Sequence, residues 1–229
     1  MRTIDYLKDH VRVSIINDVR DIALYHSRHY KGKQAGFFGV PRQVFCYIDY
    51  LGYVAYGGKN KNTINAVNFI EEFFPGIYKD YAGLLYSMWR HGTVHQYEPK
   101  SYFATFENSR EMVVSVRWLS CNDSKQENRK EHMKFYSMEN RNRDIILVIN
   151  TCQLVDDLIL ALDKFIEKLK NSKNSLIQFE DRIDECGGIR SFVEIENKTI
   201  RLIVGEQIKL AWNNRSGEIN SKGNVISRL

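Results

Sequence analysis

The run "WRHGTVHQYEPK", residues 89–100, gathers the side chains of this chain best suited to chemistry: Arg90, His91 and His95, with Tyr97 and Lys100 close behind. On an α-helix, His91 and His95 stand four residues apart and project from one side, with Arg90 about 100° round from His91. The three can then converge on one ligand. Histidine moves protons near neutral pH because its unperturbed pKa lies there. Arginine holds phosphate because its planar fork stays charged and donates two parallel hydrogen bonds. The same residues also suit two other roles. Cationic side chains at a helix C-terminus are favoured by the macrodipole and by free carbonyls, which makes the run a plain capping cluster. An i, i+4 histidine pair is also zinc geometry, but Gly92 stands where the glutamate of H-E-x-x-H would be. His26 and His29 form only a loose pair elsewhere, so neither a metal nor a cofactor is expected.

Residues 1–100 read as mainly helical. Leu7, Val11, Ile15, Val19 and Ile22 form one apolar stripe along a first helix, and "YKGKQAGFFGVP" breaks the pattern with Gly32, Gly36, Gly39 and Pro41. "RQVFCYIDYLGYVAY" predicts a second helix, ended by Gly57-Gly58; a third opens after Asn62 or Thr63 and runs to Pro75. The fourth, "GIYKDYAGLLYSMWRHGTVH", carries the motif and ends near Pro99. Short connections between them favour an antiparallel bundle. After Pro99, "SYFATFE", "EMVVSVRWLSC", "HMKFYSM" and "RDIILVIN" read as strands, and "FVEIEN", "IRLIVGE" and "QIKLAWN" as strands in the tail. Between these groups, "TCQLVDDLILALDKFIEKLK" is an amphipathic helix near 151–171 with Leu154, Leu158, Leu162, Phe165, Ile166 and Leu169 on one face, capped by Thr151 or Asn150. The expected class is α+β, with a helical bundle over 1–100 and a β-rich region with one long helix over 101–229.

Composition sets the outer limits. With 43% hydrophobic and 27% charged residues the chain can bury a core and escapes wholesale disorder. Its net charge of +5 allows a polyanionic partner without requiring one. Cysteines 46, 121, 152 and 186 include no CxxC pair, which predicts free thiols in a reducing compartment. The N-terminal segment is charged throughout, unlike a signal peptide, and no uncharged apolar run approaches the roughly 20 residues of a membrane helix. The expectation is a soluble cytoplasmic protein with no membrane contact.

Arg90, His91, three intervening residues and His95 spell R-polar-x-x-x-H, where the polar position is Asn, Asp or His. In that order, on a late helix, the chain resembles the HEPN superfamily of helical ribonucleases and nucleotide-binding domains. The wider run "IDYLGYVAYGG…NAVNFIEEFFPGIYKDYAGLLYSMWRHGTVHQYEPK" is similar to uncharacterised bacterial HEPN-like proteins. The resemblance covers residues 1–100 and does not reach 101–229. It implies an all-α bundle of four or five helices and a metal-independent endoribonuclease. The ribose 2′-OH would attack, leaving 2′,3′-cyclic phosphate and 5′-OH ends. It also implies a toxin or anti-phage effector, with an antitoxin or defence-system partner, or else a non-catalytic module binding RNA, nucleotide or a partner protein.

In such a reaction His95 is the acid/base, Arg90 the phosphate clamp, and His91, by the resemblance, orients substrate or tunes His95. One histidine cannot easily serve both sides of an in-line displacement, whereas a second copy across a two-fold axis supplies the other set. A homodimer with a composite active site is therefore expected. Lys79, eleven residues before Arg90, and Lys100 could extend a basic track for RNA, with Lys59 and Lys61, and Tyr97 could stack on a base. Each of these is equally an ordinary surface lysine or packing tyrosine. Asp49 lies inside the apolar helix "CYIDYLGY", where a carboxylate needs a partner; Arg90 or a motif histidine is the candidate, and solvent the alternative.

Overall fold

Leu7, Val11, Ile15, Val19 and Ala23 are all buried and stand four residues apart. A four-residue step overshoots one α-helical turn, so such a stripe would drift by about 40° per step around an ordinary helix. The first helix, α1 (residues 3–29), instead winds as a π-helix over Leu7–Arg12 and Ile15–Arg20, and these wider turns keep the stripe on one side. Ile22, expected on that stripe, is 45% exposed, and Ala23 is buried in its place. The three-residue step belongs to a 3.6-residue period that this helix does not keep.

The computed structural model describes residues 3–29, 38–57, 61–91, 102–105, 113–121, 126–137, 144–185, 218–219 and 225–226. The chain divides into two compact units, Met1–Glu185 and Cys186–Leu229. The change of composition near residue 100 lies within the first unit.

Helix α2 spans Gly39–Tyr56, taking in Gly39 and Pro41, which were expected to break the pattern. Proline is tolerated there because the first-turn N–H groups have no intrahelical partner anyway. The helix ends at Gly57, in the left-handed region at φ 67°, whose N–H donates to the Tyr53 carbonyl at 2.7 Å. Helix α3, Asn62–Phe73, crosses α2 at Gly52, where a β-carbon would lie 2.7–2.8 Å from the Asn65 and Ala66 backbone. A 3-10 helix, Gly76–Tyr81, leads into α4 (residues 82–91), which is α-helical over Ala82–Leu85 and π-helical over Tyr86–His91.

Four strands follow: β1 (Tyr102–Thr105), β2 (Val113–Cys121), β3 (Lys134–Ser137) and β4 (Asp144–Asn150), with the short α5 (Gln126–Arg129) between β2 and β3. They form one mixed sheet in the order β1-β2-β4-β3, antiparallel at both edges and parallel at the centre, where Val116 pairs with Ile145 and Trp118 with Leu147. Strand β4 passes directly into α6 (Thr151–Asn171), and the Asn150 side chain caps that helix by accepting from Gln153 N–H at 3.0 Å. All six residues expected on the apolar face of α6 are buried. That face packs on α1, α2 and α3, and Phe165 meets Phe69, Phe73 and Phe179 edge to face. Phe179 belongs to α7 (Lys173–Glu185), whose Arg182 donates to the terminal carbonyls Val54 and Ala55 of α2. The protein is thus a mixed α+β chain.

In the second unit, β5 (Glu218–Ile219) and β6 (Val225–Ile226) pair antiparallel. The tail strands expected over 192–197, 200–206 and 207–213 lie outside the described residues. Among the described residues no helix is long and apolar enough to cross a membrane.

A buried polar chain ties the sheet to the helix that leads into α4. The Asn150 N–H donates to His132 Nδ1 at 2.9 Å, so that nitrogen carries no proton. The neutral ring keeps its proton on Nε2, 2.6 Å from Tyr78 Oη, and the phenol donates onward to Asp157 Oδ2 at 2.7 Å. Gln153 Nε2 donates to the other Asp157 oxygen at 2.9 Å. Burial lowers the pKa of His132 to about 4 and raises those of Asp157 and Tyr78. The turn that presents His132 includes Met133 at φ 64°, outside the strand expected to begin at His132.

Candidate functional site

Helix α4 is seated by its apolar residues. Leu85, Tyr86, Met88 and Trp89 are all buried, and Trp89 stacks on Phe45 of α2 with ring centroids 6.1 Å apart. A tryptophan fixed on one side of the chain settles where the next residue can point. Arg90 emerges at the edge of this contact, facing Asp49 of α2. Its Nε donates to Asp49 Oδ2, and Tyr86 Oη, one turn earlier, donates to Asp49 Oδ1 at 2.7 Å. One carboxylate thus gathers two donors from one turn of the neighbouring helix.

The pair is partly shielded, with 24% of the Arg90 side chain and 20% of Asp49 exposed. Burial works to lower the pKa of Arg90, but the hydrogen bond and the charge of Asp49 outweigh it and raise it. Burial, then the bond to Asp49, lifts the Tyr86 phenol above its ordinary range. Near neutral pH Arg90 is therefore charged and the Tyr86 phenol neutral. Arg90 engages Asp49 through Nε, and its Nη1 is buried with no hydrogen-bond partner among the described residues. A carboxylate that takes the Nε edge fixes the plane of the fork.

His91 closes the π-helical turn; its side chain, and the whole of His95, Tyr97, Lys100 and Lys59, lie outside the described residues, as do the side chains of His26 and His29. Lys61 is exposed at the start of α3, and Lys79 is exposed on the 3-10 helix. Between Lys79 and Arg90 the chain changes winding twice, from 3-10 to α to π. Among the described residues no three His, Cys, Asp or Glu side chains come together as a metal-ligand group.

Two features escaped sequence reasoning. Tyr86 reads as one more core aromatic, although its four-residue spacing from Arg90 was a signal that both could reach one acceptor. Cys46, one turn before Asp49, is an exposed free thiol within range of the charges of Arg90 and Asp49. Burial pushes that thiol's pKa up, against the pull of Arg90, so it stays protonated near neutral pH and is no thiolate nucleophile. Comparison with protein-family models, with curated proteins and with solved structures gives no match for this chain.

Proposed function

We propose that this protein is a metal-independent endoribonuclease of HEPN type, its helical part a HEPN-like bundle, acting in a toxin or anti-phage defence role. The observation that carries the reading is the guanidinium of Arg90, fixed by Asp49 and Tyr86 and keeping a buried N–H without a partner among the described residues. A buried donor left unpaired by folding is uncommon and, at Arg90 Nη1 as at Arg129 Nε, is open to a water or an ion. Phosphate is the anion that a planar fork serves best. With Arg90 holding the scissile phosphate, His95 serves one of the two proton transfers, from the ribose 2′-OH or to the leaving 5′-oxygen. The products are a 2′,3′-cyclic phosphate and a 5′-OH. His91 orients the substrate or tunes His95. A second copy of the chain supplies the opposite proton-transfer group, so the working species is a homodimer, held in check by an antitoxin or defence-system partner. Activity is tested by incubating the full-length protein with mixed RNA in the presence of a chelator. Wild-type protein should cleave, and Arg90→Ala and His95→Ala should each lose about 100-fold or more. Cleavage that survives either substitution, or that stops on chelation, would overturn the proposal.

A further inference from the structure

Helices α1 and α2 flank an open cleft of about 360 Å³. Its walls carry Tyr6, Tyr47 and Tyr50, with His10, Ser14 and Gln43 between them, and Cys46 stands at the same opening. Tyr6 and His10 lie ring to ring at 5.6 Å, tilted by 32°. Among the described residues the lining holds no carboxylate, lysine or arginine. An aromatic cleft without formal charge, edged by amide, hydroxyl and imidazole groups, suits a flat, uncharged, hydrogen-bonding ring. Aliphatic ligands would leave the polar edges unpaired, and a bare anion would find no counter-charge inside.

The cleft also has a direction. Cys46 lines the cleft, and Asp49 stands one turn beyond it on α2, outside the lining. The Arg90 that donates to Asp49 therefore lies next to that end of the cleft.

We propose that the α1–α2 cleft is a nucleobase-binding subsite, with the base among Tyr6, Tyr47 and Tyr50 and its phosphate at the rim on Arg90. The phosphate half of this assignment rests on the phosphate-clamp role proposed above for Arg90; the base half stands on the cleft itself. Gln43 and Ser14 present edge hydrogen bonds, so the subsite would rank bases as well as hold them. Stacking of one base on aromatic side chains contributes about 10- to 100-fold in affinity.

Calorimetric titration of the full-length protein with adenosine, uridine and their 5′-monophosphates separates the two halves. Wild type should bind at least one nucleoside, and its monophosphate about tenfold more tightly. Cys46→Phe, which fills the opening from an exposed position, should abolish binding of both, and Gln43→Ala should weaken it and change the ranking of bases. Arg90→Ala should keep nucleoside binding and lose the phosphate increment. Far-UV dichroism and the melting temperature establish that each variant is folded. No binding to any nucleoside or monophosphate by wild type, or undiminished binding by folded Cys46→Phe, would overturn the subsite. Nucleoside binding lost in Cys46→Phe but without RNA cleavage by wild type would sustain the subsite and sink the ribonuclease.

Discussion

Acidification from about pH 7 to about pH 5 should destabilise the first unit chiefly through His132. In the folded protein its Nδ1 faces the Asn150 N–H at 2.9 Å, a position that a proton on Nδ1 would make repulsive. Burial agrees with that geometry, lowering the pKa from 6.5 to about 4. Between those values the unfolded chain binds a proton that the folded chain refuses, so stability rises with pH across the window and is lost as pH falls below about 6.5. The whole window corresponds to about 3 kcal/mol, of which about 2 kcal/mol falls between pH 7 and pH 5. Asp157 acts in the opposite sense: its raised pKa lets the folded state hold a proton where the unfolded state is ionised, which trims the loss toward the acidic end. The assay is urea unfolding of the full-length protein at pH 5, 6 and 7, for wild type and for His132→Gln. The variant should be less stable at pH 7, because Tyr78 and Asn150 lose a fitted partner, but its stability should change much less with pH. Equal pH slopes for the two proteins would refute the assignment of the buried neutral imidazole.

Two further outcomes follow from the packing. Gly52→Ala would gain about 1 kcal/mol in helix propensity, yet its β-carbon would meet Asn65 and Ala66 backbone at 2.7–2.8 Å. Backbone cannot rotate aside, so the net effect should be a loss of about 1–3 kcal/mol, seen as a melting temperature lower by several degrees; an unchanged or raised value would show that α2 and α3 can separate freely. Asp49→Asn should leave the fold intact at a cost of about 1–2 kcal/mol, since the pair is only partly buried. RNA cleavage should fall about 10- to 100-fold, in kcat more than in KM, if Asp49 positions Arg90; an unchanged kcat would remove it from the mechanism.

Helix α6 was plain in the sequence because its apolar period agrees with an ordinary α-helix and Asn150 supplies a cap. The four strands before it were equally plain from their β-branched and aromatic runs. Helix α1 was legible as a helix but not in its winding: a strict four-residue stripe looks like a 3.6-residue one until the last step, and Ile22 and Ala23 then exchange places. Pro41 carried a misleading stop signal, since its effect depends on whether it falls in the first turn or later, and local composition does not tell. Asp49 stood out as a carboxylate in an apolar helix, and that anomaly led to Arg90. Nothing local marks Tyr78, His132 and Asp157 as partners. They are separated by 54 and 25 residues, and each taken alone is an ordinary tyrosine, turn histidine or helix aspartate. Long-range polar pairing leaves no period to read.

The π-helical turns bear on how the chain takes a change of length. A π stretch is what an α-helix becomes when one residue is added and both flanks keep their places. Helix α1 holds two such wide stretches, at Leu7–Arg12 and Ile15–Arg20, and α4 holds one at Tyr86–His91. Single-residue deletions within the α1 stretches should return those turns to the regular ladder with Ala23 still in the core. The third stretch differs because Tyr86 and Arg90 both lie inside it and share one acceptor across the helix interface. There, a change of length moves the guanidinium itself. Among related chains, length differences should therefore be tolerated along α1 and resisted in the turn that holds Arg90.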